Sequence, residues 1–214
     1  MQRLTIHKLY FTNKEFLSSF FTATVLLFAS FVVNFYAGVY ATKNASNSVT
    51  DIILSNIRTF DVDWVFVYGP ILFFGVILFL CAHIPQRIPF VFKSVALFVV
   101  IRAVFVSLTH IGPFPTQLLV DSSLIDYFSF SGDLFFSGHT GLPFLMALIF
   151  WDTLYLRVLF IISSIVFGIV VLLGHIHYSI DVLSAFFITY TIYHIAEHFF
   201  SKDQKIFTQG IHNS

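Results

Sequence analysis

The sequence predicts an all-α integral membrane protein, a polytopic bundle of six transmembrane helices. Of the 214 residues, 57% are hydrophobic and only 10% are charged, whereas about 25% of the residues in an average soluble domain are charged. The mean hydropathy is +0.88. So few charges cannot cover a surface that faces water, which excludes a soluble globular fold. Intrinsic disorder is also excluded, because it requires low hydrophobicity and a high net charge.

Six apolar stretches are long enough, or nearly so, to form the expected spans, since a helix needs about 20 residues to cross a hydrocarbon core of about 30 Å. They occupy residues 16–40, 64–83, 90–109, 135–151, 156–174 and 179–200. Their length and their lack of strict alternation favour helices over barrel strands. Without repeats or a long linker, we expect one membrane domain over residues 1–214. Residues 1–15 and 201–214 would be its cytoplasmic tails.

The basic residues predict the orientation of the bundle. If six helices alternate, one side of the membrane receives most of them, namely Arg3, Lys8, Lys14, Arg87, Lys93, Arg157, Lys202 and Lys205. The positive-inside rule then places both termini in the cytoplasm, so that the opposite ends face the periplasm, a lumen or the exterior. The equal totals of 11 basic and 11 acidic residues argue against a nucleic-acid partner, which would require a basic excess.

Four ionisable residues lie near the predicted outer ends of the spans: Arg102, His139, His177 and Asp181. Ionisable groups in spans are costly and are functional candidates for that reason. The two histidines are 38 residues apart, which matches one helix inward and one helix back. His177 and Asp181 are four residues apart and would share a face of one helix. The spacing therefore predicts that all four side chains converge at one depth.

This combination of residue types suits attack on phosphorus. An imidazole held by a carboxylate can act as the nucleophile and form a phosphohistidine, while a second imidazole acts as general acid and base. The guanidinium of Arg102 can neutralise phosphoryl oxygens, and donors at Ser137 and Gly138 can add hydrogen bonds where a helix begins. Three alternatives stay open: histidines that only pack, a zinc site, and the proton or ion relay of a transporter or channel subunit.

Three segments carry a family resemblance. Residues 131–140 (SGDLFFSGHT) resemble the third conserved block of the sphingomyelin synthases, and residues 177–182 (HYSIDV), continuing to Tyr193 and His194, resemble the fourth. Residues 102–115, an arginine followed by a threonine and a Pro-x-Pro turn, are similar to the second. The resemblance covers about residues 60–200. These synthases share a superfamily with the type 2 phosphatidic acid phosphatases.

The resemblance implies six spans, a site on the lumenal or external side, and no metal or other cofactor. It assigns His177 as the nucleophile, Asp181 as the residue that orients it, and His139 as the general acid and base. It also implies a reaction that moves a phosphocholine or phosphoethanolamine headgroup from a glycerophospholipid to ceramide or diacylglycerol. The partners would then be the phospholipid, the lipid acceptor and the surrounding bilayer.

Departures from both patterns bear on the substrate. Ser131 replaces the cysteine that usually opens the third block of the synthases, and the turn after Arg102 is one residue longer. The Lys-x6-Arg-Pro signature of the phosphatases is missing, and Val171 occupies the position of another phosphatase arginine. A phosphate monoester is close to dianionic, whereas one guanidinium matches the single charge of a diester. We therefore expect headgroup transfer, with a lipid-phosphate phosphatase as the alternative.

A zwitterionic headgroup would find further partners among the predicted outer residues. Asp133 could pair with an ammonium group, and the ring of Tyr178 could make a cation–π contact with it. The predicted substrate-binding set is therefore Arg102, Ser137, Gly138, Asp133 and Tyr178.

Overall fold

The computed structural model describes residues 8–118 and 134–211, and within these ranges it contains helices and loops but no strand. The principal helices are α1 (Lys14–Lys43), α2 (Asp63–His83), α3 (Ile88–Leu108), α4 (Gly138–Ile149), α5 (Leu154–Leu173), α6 (Ser179–Phe199) and α7 (Ser201–Gln209). Short 3-10 turns lie at Leu54–Asn56 and Pro85–Arg87. The predicted all-α membrane bundle is confirmed.

Five of the described helices are long and apolar enough to cross a bilayer: α1, α2, α3 with the turn before it, α5 and α6. They coincide with five of the six predicted stretches. The remaining stretch forms α4, which has 12 residues and a length of about 18 Å. Because a hydrocarbon core is about 30 Å thick, the predicted count of six transmembrane helices is not confirmed.

The bundle is held together by two sets of helix contacts. Helix α4 packs on α5 and α6, while α1 lies along α3, which in turn contacts α4 and α6. Phenylalanine rings fill the interior between these sets. Phe73 of α2 makes edge-to-face contacts with Phe160 and Phe167 of α5, at centroid distances of 5.7 and 6.2 Å. Such pairs add to the apolar packing that stabilises the bundle.

Two glycines permit the close approach of the helices around α4. A Cβ atom on Gly141 would lie 2.8 Å from both the Phe98 ring of α3 and Oγ1 of Thr189 in α6. A Cβ on Gly168 of α5 would lie 3.2 Å from Cγ1 of Val182. Small residues are what allow membrane helices to pack backbone against backbone, so larger side chains here would push α4 away from its neighbours.

A buried polar triad joins α1, α3 and α7 at the end of the bundle where α3 begins. Lys93 Nζ lies 2.6 Å from Oδ2 of Asp203 and donates a hydrogen bond of 2.8 Å to Ser19 Oγ. The Ser19 hydroxyl donates in turn to Oδ1 of Asp203. The Lys93 and Asp203 side chains are 11% and 8% exposed. The segment after residue 200, predicted as a tail, thus contains a helix anchored to the bundle.

We expect Asp203→Asn to destabilise the protein, because it leaves the Lys93 ammonium buried without a counter-charge. Breaking one side of a buried ion pair costs about 3–5 kcal/mol, so the melting temperature in detergent should fall clearly. Lys202→Met, which removes an exposed charge next door, is the matched control. The double change Lys93→Met with Asp203→Asn should recover much of the loss, and equal melting temperatures for all variants would contradict the role of the pair.

Candidate active site

The N-terminus of α4 is the structural centre of the candidate site. Ser137 is its N-cap residue, and its buried hydroxyl oxygen accepts hydrogen bonds from the backbone N–H and the hydroxyl of Thr140, at 3.4 and 3.2 Å. The backbone N–H of Ser137 donates to the carbonyl oxygen of Asp181 at 3.1 Å. This bond fixes the beginning of α4 against the first turn of α6.

Arg102 reaches the same point from α3. Its side chain is buried, and its Nε donates to the carbonyl oxygen of Phe136 at 2.8 Å. A Cβ atom on Gly138 would lie 3.1 Å from this Nε, so the glycine lets the guanidinium lie against the first turn of α4. The guanidinium and the partial positive charge of the helix N-terminus both favour an anion at this position.

His139 lies between α2 and α5. Its ring stacks on Phe66 at a centroid distance of 4.4 Å and an angle of 21°, and it meets the edge of Phe167 at 6.4 Å. Together with Arg102 and Gly138 it lines a cavity of about 200 Å³ whose other walls are mostly apolar. A cation and an imidazole thus share one cavity, as the spacing of the sequence predicts.

His177 and Asp181 form a buried pair, although not on one helix as expected. His177 precedes α6, which begins at Ser179, yet its Nδ1 lies 3.5 Å from Oδ2 of Asp181. The side chains are 4% and 0% exposed. Asp181 Oδ2 also accepts the backbone N–H of Tyr178 at 2.9 Å. Because Nδ1 faces the carboxylate, Nε2 is the nitrogen left for chemistry.

The pair keeps unused hydrogen-bonding capacity. Among the described residues, His177 Nδ1 and Asp181 Oδ1 have no hydrogen-bond partner. Catalytic hydrogen bonds are often long without substrate and shorten when it binds. The 3.5 Å separation fits that behaviour.

Asp51 is a residue of this region that the sequence did not identify. Its Oδ2 accepts the backbone N–H and the hydroxyl of Ser179, both at 2.7 Å, and its Oδ1 accepts the N–H groups of Ile53 and Leu54. Burial alone would raise its pKa, but the hydrogen bonds from Ser179, Leu54 and Ile53 hold the pKa below its ordinary value. Asp51 and Ser179 are 128 positions apart, so no local sequence pattern predicts their contact.

Tyr178 holds the loops above α6. Its hydroxyl donates to the carbonyl oxygen of Gly112 at 2.8 Å and accepts the N–H of Val49 at 3.2 Å. The residue is only 2% exposed, so this position makes it an anchor for two loops. Its predicted contact with a headgroup stays a prediction, and Asp133, the other residue expected to bind an ammonium, lies outside the described residues.

Gly112 explains how close these two loops approach each other. A Cβ atom at this position would lie 2.2 Å from the carbonyl oxygen of Ser46. The N–H of Gly112 donates to Asn47 O at 3.1 Å, and the N–H of Ser46 donates to His110 O at 2.8 Å. Any side chain in place of Gly112 would separate the two loops.

His175, two residues before the candidate nucleophile, faces the loops. Its φ of 53° lies in the left-handed region, and its Nδ1 is 2.6 Å from Oγ1 of Thr116. Burial lowers its pKa, although Asp51 and a hydrogen bond with the Ile57 backbone act in the opposite direction. The neutral ring therefore serves loop packing.

The other described histidines make ring contacts at the bundle surface. His83 stacks on Phe79, His110 meets Tyr40, and His194 pairs with Glu197 at 2.9 Å. Within residues 8–118 and 134–211, no three His, Cys, Asp or Glu side chains are grouped so that they could hold a metal ion.

Comparison with known families gives one match. Residues 131–199 match the family model described as PAP2 superfamily C-terminal. The matched segment contains Ser137, His139, His177 and Asp181, and it supports the phosphatidic acid phosphatase type 2 superfamily and a lipid enzyme of the phosphatase or phosphotransferase type. It does not separate the synthase-like members from the phosphatases. No curated protein and no solved structure matches the chain.

Asp51→Ala should lower the free energy of unfolding by about 1 kcal/mol at neutral pH, as the loss of a helix cap does. The folded pKa of this carboxyl is lowered, so its contribution is complete above the unfolded value of about 3.9 and is lost as pH falls through the folded value. Melting curves in detergent from about pH 8 to 3 should show a constant deficit that shrinks only below about pH 4. Asp152→Ala, which removes an exposed carboxylate in the turn before α5, is the control. A deficit that stays the same from about pH 8 to pH 3 would contradict this account.

Proposed function

We propose that the protein is a membrane lipid phosphotransferase that moves a phosphocholine or phosphoethanolamine headgroup from a glycerophospholipid to ceramide or diacylglycerol. The observation that carries this proposal is the His177–Asp181 pair, tied through the Ser137 N–H···O=C Asp181 bond to the cavity that Arg102 and His139 line. The family match over residues 131–199 supports the reaction class. The histidine nucleophile and the transfer reaction are our assignment.

In the first half of the reaction, Nε2 of His177 attacks the phosphorus of the donor diester. A P–N bond forms, the P–O bond to the glycerol oxygen breaks, and His139 supplies the proton that releases diacylglycerol. Asp181 keeps the imidazole oriented through Nδ1 and stabilises the positive charge that develops on it. The phosphocholine or phosphoethanolamine group is then held on His177 as a phosphohistidine.

In the second half, the hydroxyl of the acceptor lipid takes the place of the departed diacylglycerol. His139, now neutral, accepts the hydroxyl proton, and the oxygen attacks phosphorus. The new P–O bond forms as the P–N bond breaks, which returns both histidines to their starting states. Water in place of the acceptor would complete a hydrolysis by the same steps.

The surroundings of Arg102 supply the electrostatic stabilisation that this reaction needs. The hydrogen bond to the Phe136 carbonyl already positions the guanidinium. The Ser137 cap already positions the amide groups at the start of α4. Preorganised donors in an apolar site act more strongly on developing charge than they would in water. They would bind the equatorial oxygens of the phosphoryl group as it transfers.

A diester substrate fits the charge of the site better than a monoester does. Arg102 is the cation among the residues that line the His139 cavity. Val171, at the position of a phosphatase arginine, is buried in an apolar cluster with Val62 and Phe66, where a second cation would be expensive. One guanidinium balances the single negative charge of a diester. A nearly dianionic monoester needs more positive charge than one guanidinium supplies.

We further propose that both termini are cytoplasmic and that the site faces the periplasm, a lumen or the exterior. The support for this orientation is the clustering of basic residues in the segments at the opposite end from Arg102.

The reaction is tested by giving purified protein labelled phosphatidylcholine or phosphatidylethanolamine with ceramide or diacylglycerol, and phosphatidic acid in parallel. We expect label on the acceptor lipid, and a phosphocholine adduct on His177 by mass spectrometry when the acceptor is left out. His177→Ala should lower transfer by at least about 1,000-fold, since it removes the nucleophile.

His198→Ala, which removes an exposed histidine, is the matched control and should leave transfer unchanged. Phosphate release from phosphatidic acid alone would replace this proposal with the phosphatase alternative. An absence of both reactions in folded protein would favour the ion or proton relay.

Arg102 is tested separately because its charge and its geometry both matter. Arg102→Met should lower kcat by about 100- to 1,000-fold, as the loss of a transition-state donor does, and Arg102→Lys should retain part of the activity because it keeps the charge without the planar fork. Arg58→Met, which removes a loop arginine stacked on Phe60, is the control. Equal kcat for Arg102→Met and the unchanged protein would contradict this role.

A further inference from the structure

An apolar groove runs along α3 between α1 and α2. Helix α1 lies along α3, whereas α2 packs against α5, and the space left between α1 and α2 has a volume of about 570 Å³. We call this space the α1–α2 groove and define it by six lining residues, Leu27, Phe28, Asn34, Leu78, Val91 and Val95. Several of its wall residues are open to the surroundings, including Phe28 at 73% and Leu78 at 57% exposure.

The groove continues into the candidate active site. Phe31, Asn34 and Phe74 line both the groove and the cavity that contains Arg102 and His139. From Val91 on the groove floor to Arg102, α3 rises about 16 Å. A chain lying in the groove would therefore have one end beside the guanidinium and the rest inside the apolar layer.

Asn34 lies at the junction of the two spaces and is a polar residue within the long apolar helix α1. Its side chain is half-buried, and it makes no hydrogen bond within residues 8–118 and 134–211. An unpaired amide in an apolar environment is costly, and polar groups inside membrane spans mark substrate pathways. The position calls for a ligand that is apolar on one side and carries a hydrogen-bond acceptor beside the charged end.

We infer that the α1–α2 groove holds one acyl chain of the glycerophospholipid donor, and that the Asn34 amide donates a hydrogen bond to the ester carbonyl where this chain joins the glycerol. The inference rests on the proposed function. The headgroup phosphate then lies at Arg102 and His139, the ester at Asn34, and the chain against α3. Asn34 is a positioning residue in this arrangement, because it contacts the substrate away from the reacting phosphorus.

The amide is tested by kinetics in mixed micelles of fixed lipid mole fraction. Asn34→Leu should raise the KM for phosphatidylcholine by about fivefold, because the loss of one neutral hydrogen bond weakens binding by about this factor. The change in kcat should be small. Asn34→Gln, which keeps an amide, should recover part of this loss. A soluble phosphocholine diester with a chromogenic leaving group has no acyl ester, so Asn34→Leu should raise its KM by less than it raises the KM for phosphatidylcholine.

The groove itself is tested by filling it. Leu27→Trp should reduce the use of phosphatidylcholine, whereas Leu26→Trp, at a neighbouring exposed position that lines neither space, should not. Because Leu27→Trp could disturb packing, Leu78→Trp provides a second obstruction from an exposed groove wall, with Leu72→Trp on the same helix as its control. Phosphatidylcholine with a photoactivatable acyl chain should crosslink to groove residues in the unchanged protein and less in both filled variants.

The outcomes separate the two proposals. Unchanged protein that uses neither phosphatidylcholine nor the soluble diester would overturn the proposed function, whatever the crosslinking shows. Protein that uses both substrates, with Asn34→Leu, Leu27→Trp and Leu78→Trp all unaffected, would overturn the groove inference alone. Crosslinks that are equally frequent at Leu26 and Leu27 would also overturn it, since they would identify ordinary lipid around the bundle.

Discussion

The beginning of α4 is the constraint around which the candidate site is built. A helix of 12 residues cannot reach across an apolar layer, so its first N–H groups and the carbonyl before it must find partners inside the protein. Arg102 donates a hydrogen bond to the Phe136 carbonyl, and the Ser137 N–H donates one to the Asp181 carbonyl. The Ser137 hydroxyl oxygen accepts the N–H of Thr140. The bonds that satisfy this helix end therefore also gather the groups that we assign to phosphoryl transfer.

The sequence predicted the parts of the molecule that depend on composition and on local spacing. Apolar length identified α1, α2, α3, α5 and α6 as spans because each carries its own signal. The four-residue spacing of His177 and Asp181 predicted their proximity, although the structure reaches it with His177 outside α6. The fourth stretch contains Gly138 and Pro143, and the 12-residue helix that forms there is too short to confirm a count of six.

The contacts that could not be predicted join positions far apart in the chain. Nothing near Asp51 indicates that it holds Ser179, and nothing near Tyr178 indicates that its hydroxyl binds Gly112 and Val49. The left-handed backbone of His175 likewise follows from the way the loops close over α6. These contacts depend on where the helices bring the loops, so the sequence around each residue contains no local signal for them. The catalytic roles of His139, His177 and Asp181 stay predictions.

In our proposals, the two catalytic histidines and the lipid-positioning residue Asn34 lie in different parts of this chain. The segment that matches the family model, residues 131–199, carries both histidines and Asp181, whereas α1 lies outside it and carries Asn34. Helix α1 is fixed at its other end by the bond of Ser19 to Lys93 and Asp203, and about 22 Å of helix separates Ser19 from Asn34. If both proposals hold, the matched segment supplies the histidine chemistry and α1 selects the lipid chain that reaches it.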